Sequence, residues 1–406
     1  MGMTAAVWLA NNVSHYHRVR ADAFARAWGG PFTVLEVSGI NGLSVLQRGS
    51  CDMARVATLY PDKEIAEIGR RSIGEAVIQY LERTRPAVCC VNGWGLPGSA
   101  AMLDWAMNRR VPCVLMSETN RHDSRTRWWL EGVKKKFVTQ CSAALVGGSW
   151  HRQYLTELGM GPDRIFDGYD VVDNEHFRKG AETARVYGQG LREANNLPQE
   201  YFLACARFEP KKNLERLIRG YAKYSRGIGR GAWRLLIVGD GPSRAELEIL
   251  ARDLGVAQGV VFGGLRGYED LPAIYGLARA FVHASTTEQW GLVVNEAMAA
   301  GLPVLVSQRC GCSPELVDPG RNGFTFDPYD TEELSRLMLR LTGMSETQRA
   351  AMGQASTEII GRWAPETFAA NLIKAVEVAL AAPRPKASAL DKALLWAMVY
   401  RPGAMR

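Results

Sequence analysis

The chain has 406 residues, 47% of them hydrophobic and 22% charged, and a formal net charge of +7. This length suggests two domains, and the apolar content excludes a disordered chain. No apolar run reaches the length of about eighteen residues that a spanning helix needs, and the scattered cysteines are typical of reduced cytosolic thiols. No secretory signal is evident at Met1–Ala10, so we expect a cytoplasmic protein with anionic partners.

Strand-like apolar runs alternate with helix-like stretches along the whole chain. In the first half we predict strands at Ala5–Ala10, Thr33–Val37, Ala87–Asn92, Cys113–Ser117 and Ala143–Val146, and helix within Asp62–Thr84. In the second half we predict strands at Tyr201–Ala206, Leu235–Val238, Val260–Phe262, Ala280–Ala284 and Pro303–Ser307. The alternation predicts an α/β protein with two doubly wound, parallel, Rossmann-like domains facing each other across a cleft.

The expected domain boundaries follow from this alternation. We expect residues 1–180 to form an N-terminal domain and residues 181–365 a C-terminal domain. Residues 366–406 supply a helix that crosses back to the first domain and an amphipathic tail. We interpret the polar segment Asp173–Gln199 as the linker.

The segment Glu288–Glu296 carries the strongest functional signal. It lies between a predicted strand and a predicted helix, so Glu288 falls on the loop and Glu296 about one helical turn further on. Gly291 stands at the corner, where positive φ is expected. The free amides of Leu292 and Val293 then form a site for a phosphate. Two carboxylates beside such a site can hold the hydroxyls of a sugar and of a ribose.

Two cations follow the predicted strand at Tyr201–Ala206. Arg207 and Lys212 lie on the loop after it, where they can neutralise a diphosphate leaving group. Taken alone, two such cations more often form surface salt bridges on a solvated loop. Beside the two-carboxylate segment, a role in phosphate binding is favoured.

These residues resemble the donor-binding domain of the retaining glycosyltransferases of family 4, which have the GT-B fold. The resemblance rests on Glu288 and Glu296 with seven residues between them, on Arg207 and Lys212, on the turn Gly239-Asp-Gly241, and on the phrase NEAMAAGLPVLVS. These motifs occur in order within Tyr201–Pro328. The order of elements extends the resemblance to nearly the whole chain.

The resemblance implies a role for each matching residue. Glu288 holds the transferred sugar, Glu296 the ribose, and Arg207 and Lys212 the diphosphate. The remaining donor contacts come from the backbone and loops, at Gly241, Leu265, Arg266, Trp290, Gly291, Leu292 and Val293. Gln289, followed by Trp290, stands at a position where the family often has a small residue, so the identity of the sugar stays open.

In the first half, the family often places a histidine after the strand at Cys113–Ser117, and His122 is the candidate here, a few residues late. His17 or Arg18, after the first strand, either reaches the cleft or is structural. No Asp-X-Asp triplet is present to hold a divalent metal, so we expect metal-independent, retaining transfer in which protein cations and helix amides stabilise the diphosphate. No cofactor is expected besides the donor.

A basic, tryptophan-containing segment suggests a membrane surface. Arg121–Lys136 carries six cations and two carboxylates around Trp128 and Trp129. It is either an interfacial helix on anionic lipid or an ordinary helix with a solvated face. The apolar tail at Leu390–Tyr400 either lies on a membrane or docks on the first domain.

We therefore expect a glycosyltransferase that moves a sugar from a nucleotide-diphosphate sugar to a glycan or lipid-linked acceptor, in cell-surface polysaccharide or glycolipid synthesis. It is then a peripheral protein of the inner face of the cell membrane. Alternatives are a GT-B enzyme acting on a small acceptor, of the disaccharide-synthase type, and a nucleotide-sugar epimerase. A non-enzymatic sugar-binding protein is a remote alternative, and no recognition motif supports nucleic-acid binding.

Overall fold

The computed structural model describes residues 5–40, 51–123, 128–383 and 388–400. The chain divides into two compact units. The first comprises Met1–Val171 and Pro365–Arg406, and the second comprises Val172–Ala364. Each unit is built around its own parallel sheet.

The first unit contains a seven-stranded parallel sheet in the order β3-β2-β1-β4-β5-β6-β7. Its strands are β1 (Ala6–Ala10), β2 (Phe32–Ile40), β3 (Arg55–Glu64), β4 (Val88–Asn92), β5 (Cys113–Ser117), β6 (Ala143–Val146) and β7 (Ile165–Asp167). Its first helices are α1 (His15–Trp28), α2 (Arg70–Thr84), α3 (Pro97–Arg109), α4 (Trp128–Gln140) and α5 (Ser149–Glu157).

The second unit contains a six-stranded parallel sheet in the order β10-β9-β8-β11-β12-β13. Its strands are β8 (Tyr201–Cys205), β9 (Arg234–Val238), β10 (Val260–Gly264), β11 (Ala280–His283), β12 (Val304–Ser307) and β13 (Gly323–Phe326). Its helices are α6 (Asn174–Val186), α7 (Gly188–Asn195), α8 (Leu214–Ile228), α9 (Arg244–Asp253), α10 (Leu271–Gly276), α11 (Leu292–Ala299), α12 (Ser313–Leu316), α13 (Thr331–Gly343) and α14 (Glu346–Ile360).

Two further helices return to the first unit. Helix α15 (Pro365–Ala381) packs against α1, and α16 (Ala389–Tyr400) packs chiefly against α3. Leu395 and Met398 of α16 are buried in the core of the first unit. Nowhere in the described ranges is a helix both long enough and apolar enough to cross a membrane.

The predicted class of two parallel, Rossmann-like α/β domains is confirmed. The central strands are fully buried apolar runs, as expected when helices cover both faces of a parallel sheet. In both sheets the strand order reverses at one point, between β1 and β4 in the first and between β8 and β11 in the second. Ligands of open α/β sheets bind outside the carboxyl ends of the strands at this point.

Two expectations about local structure are wrong. The segment Asp173–Gln199 is not a linker, since α6 and α7 lie within it. Phe177, Ala181 and Ala184 recur at helical spacing and are buried, and the side chain of Asp173 accepts a hydrogen bond at the start of α6. The predicted helix within Asp62–Thr84 is shorter than expected, because β3 continues through its first residues and α2 begins only at Arg70.

Candidate active site

The candidate site lies at the carboxyl ends of β8 and β11, the neighbouring strands between which the strand order of the second sheet reverses. Lys212 ends a short 3-10 turn, Pro210–Lys212, after β8, and Glu288 follows β11. The side chain of Asn213 holds the two loops together, since Nδ2 donates to the carbonyl oxygens of Ala284 at 3.0 Å and Pro328 at 2.8 Å. Strand pairing thus brings together two segments that are distant in sequence.

Lys212 and Glu288 form a direct ion pair. Nζ of Lys212 contacts Oε2 of Glu288, and the two side chains are only 13% and 12% exposed. The hydroxyl of Ser285 donates to the same oxygen at 3.3 Å, while Nζ of Lys211 lies 4.0 Å from Oε1. The carboxylate is therefore held in one orientation, with one oxygen crowded and the other less so.

His283, the last residue of β11, lies under this pair. Its Nε2 is 3.7 Å from Oε2 of Glu288 and 3.3 Å from the hydroxyl of Ser285. Burial lowers the pKa of His283, so the imidazole is neutral near pH 7. Burial alone would raise the pKa of Glu288, but His283 and the Lys212 charge together hold that pKa well below its usual value. Glu288 is thus an anion, suited to accept hydrogen bonds rather than to act as an acid.

Gly291 has the positive φ that the sequence predicts. It stands immediately before α11 with φ 106° and ψ 61°, and a β-carbon there would lie 3.4 Å from Nε2 of His283. A side chain at this position would be strained and would also press on the residue below Glu288. The glycine lets the chain turn so that α11 begins with Leu292 and Val293, whose backbone amides have no acceptor in a preceding turn of the helix. Such a helix start favours an anion.

Glu296 lies in α11, about one turn beyond its first amides. It is 1% exposed, and its Oε2 accepts a hydrogen bond from the hydroxyl of Tyr275 at 2.7 Å. Tyr275 itself is buried, and burial raises its pKa well above the usual value, so the phenol is a donor at neutral pH. This hydrogen bond orients the carboxylate of Glu296.

The ring of Trp290 is buried inside the loop, and a contact of this residue with the donor stays a prediction. The side chain is 1% exposed, its Nε1 donates to Oδ1 of Asn295 at 2.9 Å, and its ring packs on Trp363 with centroids 4.8 Å apart. Its carbonyl oxygen accepts from the amide of Cys312 at 3.2 Å. Trp290 therefore anchors the loop from the inside, whereas its neighbour Gln289 is exposed.

Arg207 differs from the nearly buried Lys212 in that its side chain is exposed to solvent. The Arg207 side chain is 51% exposed and pairs with Glu209 at 3.0 Å. The turn at Gly239–Gly241 lies against the same loop, since the carbonyl of Asp240 accepts from the amide of Phe208 at 2.9 Å. A β-carbon at Gly239 would overlap the carbonyl oxygen of Ala206. The glycine turn thus supports the loop that carries Arg207.

Leu265 and Arg266 follow β10, at the edge of the second sheet. Leu265 is 50% exposed, while Arg266 donates to the carbonyl oxygens of Gly263 at 3.0 Å and Asn195 at 3.3 Å. Arg266 therefore fixes its loop, and Leu265 presents an apolar surface beside it. This pair is suited to lie against a flat base.

The histidines of the first unit have structural contacts. His17 closes the first turn of α1, with its Nδ1 2.8 Å from the hydroxyl of Ser14, and burial and the charge of Arg20 lower its pKa to about 3. His122 follows β5, and its ring centroid lies 4.8 Å from that of Trp150. Its catalytic role stays a prediction.

The basic segment is described only in part, because Arg125 and Arg127 lie outside the described residues. Trp128 and Trp129 begin α4 and are 87% and 41% exposed. Trp396 of α16, in the same unit, is 54% exposed. An ordinary helix that packed its tryptophans in the core would bury these rings, and they are exposed. Contact of the segment with a membrane stays a prediction.

Several site residues were missed by sequence reasoning. His283, Ser285, Asn213 and Tyr275 contact the two glutamates or their loops, but none belongs to a motif singled out beforehand. His283 and Ser285 alternate along the end of β11, and this spacing was an available signal for one shared face. Tyr275 gave no signal, because α10 reaches Glu296 only through packing. In the described ranges, no group of three or more His, Cys, Asp or Glu side chains could hold a metal ion.

Comparison with known proteins agrees with this geometry. Residues 191–358 match the family model described as glycosyl transferases group 1. The GDP-mannose-dependent alpha-(1-6)-phosphatidylinositol monomannoside mannosyltransferase of Mycobacterium tuberculosis is 31% identical over 210 residues, covering 50% of this chain and 52% of the relative. The serotype-specific mannosyltransferase WbdA of Escherichia coli is 32% identical over 189 residues, covering 46% of this chain and 23% of the relative. The chain thus matches about half the length of the first of these relatives.

Solved structures match nearly the whole chain. Sucrose-phosphate synthase from Thermosynechococcus elongatus superposes with a TM-score of 0.71 at 19% identity, covering 94% of this chain and 100% of that one. Anabaena Alr3699/HepE in complex with UDP superposes with a TM-score of 0.69 at 17% identity, covering 92% of this chain and 100% of that one. The GT-B fold and the predicted family resemblance are confirmed.

Proposed function

We propose that this chain, whose residues 191–358 match the family model of glycosyl transferases group 1, transfers a sugar from a nucleotide-diphosphate sugar to a glycan or lipid-linked acceptor. The observation that carries the proposal is the Lys212–Glu288 pair beside the glycine-led start of α11, at the point where the sheet order reverses. A cation, an oriented carboxylate and free helix amides then meet at one strand end. These groups match the phosphate and the hydroxyls of such a donor.

The donor lies along the carboxyl edge of the second sheet in this proposal. Leu265 and Arg266 lie beside the base, Glu296 binds the ribose, and Lys212 binds the diphosphate with the amides of Leu292 and Val293. Gly241 lets its turn pack closely against the loop that carries Arg207. The guanidinium of Arg207 exchanges Glu209 for the phosphate when the donor binds. Glu288 accepts hydroxyl hydrogen bonds from the transferred sugar, because it is ionised and its Oε1 is the less crowded oxygen.

The reaction we propose retains the anomeric configuration and needs no metal. As the sugar–phosphate bond breaks, negative charge develops on the departing diphosphate, and Lys212, Arg207 and the α11 amides stabilise it. The phosphate oxygen that leaves takes the proton of the acceptor hydroxyl. Positioning and charge stabilisation supply the rate, with no acid or base role for Glu288.

A membrane surface is the proposed location of the acceptor. The exposed Trp128 and Trp129 begin a helix that also carries the exposed Lys135 and Lys136, whereas Lys134 is nearly buried and pairs with Glu131. Relatives named for phosphatidylinositol mannoside and serotype-specific mannosyl transfer agree with a role in glycolipid or cell-surface polysaccharide synthesis. We propose a cytoplasmic protein that binds the inner face of the membrane peripherally.

The membrane proposal is tested by flotation with anionic and neutral vesicles at low salt. The protein should float with the anionic vesicles, and replacing Trp128 and Trp129 by serine should abolish this. Trp94, a buried tryptophan of the first unit, is no control because its loss would disturb the core. A suitable control is Tyr187→Ser, an exposed aromatic residue of the second unit that should leave flotation unchanged. Failure of the unaltered protein to float would remove the proposal.

A small phosphorylated sugar is a second candidate acceptor. It is favoured by the match to sucrose-phosphate synthase and by a relative named mannosylfructose-phosphate synthase, 30% identical over 179 residues, which cover 43% of this chain. A glycan or lipid acceptor and a sugar phosphate give products of very different mass. Mass spectrometry of the products from each acceptor with one donor separates the two.

The donor assignment is tested by a thermal-shift screen of nucleotide sugars that includes GDP-mannose and UDP-glucose, because ligand binding stabilises the native state. One donor should raise the melting temperature, and Glu296→Ala and Lys212→Ala should remove most of that increase. Lys179→Ala is the matched control, since Lys179 is an exposed lysine of α6 paired with Glu175. Equal shifts in all three variants and the unaltered protein would refute the assigned roles.

A further inference from the structure

A group of cations surrounds one exposed tyrosine next to the candidate site. We call Lys211, Arg216, Arg309 and Tyr329 the basic patch. The guanidinium carbon of Arg216 lies 5.0 Å from the ring centroid of Tyr329, and that of Arg309 lies 5.8 Å from it. Tyr329 is 51% exposed, so the two guanidinium groups against its ring lie at the protein surface.

The patch is joined to Glu288 by a continuous set of contacts. Nζ of Lys211 lies 4.0 Å from Oε1 of Glu288, and the carbonyl of Lys211 accepts from the amide of Thr286 at 2.9 Å. Nε of Arg309 donates to the carbonyl of Thr286 at 2.9 Å. Lys211 and Arg309 therefore flank the loop that carries Glu288.

The sheet order fixes the direction in which the patch extends. Along the carboxyl edge of the second sheet come β10, β9, β8, β11, β12 and β13. The base, diphosphate and sugar groups of the proposed donor correspond to the ends of β10, β8 and β11. Arg309 follows β12 and Tyr329 follows β13, so this part of the patch lies beyond the sugar and away from the base. Lys211 and Arg216 follow β8, on the diphosphate side, and the ring of Tyr329 joins Arg216 to Arg309.

Unlike Lys211, which lies beside Glu288, the two guanidinium groups of the patch are not paired with a carboxylate in the part of the chain that the structure describes. Among the residues the structure describes, no carboxylate oxygen lies within 4.0 Å of the guanidinium nitrogens of Arg216 or Arg309. Arg216 donates instead to Oδ1 of Asn213 at 3.1 Å, and Arg309 to a backbone carbonyl. By contrast Arg219, one turn further along α8, pairs with Glu215 at 3.0 Å.

The tyrosine explains how two like charges are kept close together. The face of an aromatic ring attracts a cation, so Tyr329 offsets part of the repulsion between Arg216 and Arg309 and restricts both side chains. Asp327 accepts from the amide of Tyr329 at 2.9 Å and so fixes the loop. Ordered, uncompensated guanidinium groups are suited to bind an oxyanion with little loss of side-chain entropy.

We propose that the basic patch binds an anionic group, a phosphate or a carboxylate, of the acceptor, next to the sugar that Glu288 holds. Arg216 and Arg309 bind the oxyanion, and Lys211 extends the positive surface to Glu288. The inference rests on the proposed function, because the donor defines which end of the site is the sugar end. It assigns to the second unit a part in acceptor choice that none of the donor motifs supplies.

The test measures sugar binding by calorimetry with the diphosphate subsite already filled by saturating UDP or GDP. The probes are glucose 6-phosphate, glucuronic acid and uncharged glucose, so that phosphate and carboxylate are compared on one ring. We expect the unaltered protein to prefer at least one anionic probe to glucose. Arg216→Gln and Arg309→Gln should each weaken that probe by about five- to tenfold and leave glucose unchanged.

Two further variants separate a defined site from general attraction. Arg219→Gln removes the same charge from the same helix, but at a neutralised position, and should leave binding of the anionic probe unchanged. Tyr329→Leu should weaken the anionic probe, because it releases both guanidinium groups. Equal losses in Arg219→Gln and Arg216→Gln, or equal binding of all three probes to the unaltered protein, would overturn the proposal.

Failure of the proposed function gives a different result. A protein that binds neither UDP, GDP nor any nucleotide sugar fails the donor assignment, whatever the anionic probes do. A protein that binds nucleotide normally in every variant but shows no preference for an anionic probe retains the donor assignment and loses the basic patch.

Discussion

Replacing Lys212 by methionine should destabilise the second unit as well as weaken donor binding. Methionine keeps most of the lysine volume but leaves the Glu288 carboxylate without its main counter-charge. Both side chains are nearly buried, at 13% and 12% exposure, so solvent compensates little. The ion pair is therefore structural before any ligand arrives.

The magnitude follows from what remains around Glu288. Removing one partner of a buried ion pair costs about 3–5 kcal/mol. Here His283 at 3.7 Å and Lys211 at 4.0 Å stay in place, so we expect a smaller loss of about 2–3 kcal/mol. For a unit of this size that corresponds to a melting temperature lower by about 4–12 °C.

The assay is thermal and urea unfolding of Lys212→Met, Glu288→Gln and the double variant, from pH 7 down to pH 3. The double variant should recover at least half of the loss in Lys212→Met, because it buries no lone charge. The folded pKa of Glu288 is depressed, so its contribution to stability is fully present above its unfolded pKa near about 4.3 and is lost as the pH falls below it. The difference in the free energy of unfolding between the unaltered protein and Lys212→Met should therefore become smaller as the pH falls.

Two results would refute this reasoning. One is a Lys212→Met protein as stable as the unaltered chain at pH 7. The other is a double variant that is less stable than Lys212→Met, which would mean that Glu288 does not depend on the lysine charge. Glu332→Gln, at an exposed pair with Lys223, is the control and should change stability by less than about 1 kcal/mol.

Three further predictions concern the same site. Gly291→Ala should lose about 1–3 kcal/mol of stability and most of the transfer activity because of its φ of 106°, whereas Gly190→Ala in α7, with open space around it, should be neutral or slightly stabilising in urea unfolding. Tyr275→Phe should cost about 1–3 kcal/mol and weaken nucleotide binding in calorimetry, since buried Glu296 loses a donor; unchanged affinity would separate Glu296 from the ribose. A chelator should leave sugar transfer intact, and a loss that Mg²⁺ restores would contradict the metal-independent reaction.

Much of the fold could be read from the sequence, because buried parallel strands are continuous apolar runs. The runs at Cys113–Ser117 and Ala143–Val146 are strands β5 and β6 with the predicted bounds. Strand β3 was missed because it lies at the sheet edge with none of its residues buried, so its side chains carry no burial pattern. Helix α6 was missed because the apolar residues on its buried face are few and mostly small.

The sequence by itself determined the motif residues and their order: two glutamates around Gly291, two cations after β8, and the glycine turn. These depend on local geometry, such as the positive φ of Gly291, which neighbouring residues dictate. Only the tertiary structure decided which of these side chains meet. Strand order places β8 beside β11, so Lys212 reaches Glu288 while Arg207 pairs with Glu209. It also buries Trp290 and gathers Arg216, Arg309 and Tyr329, because packing between distant segments is not encoded in any local pattern.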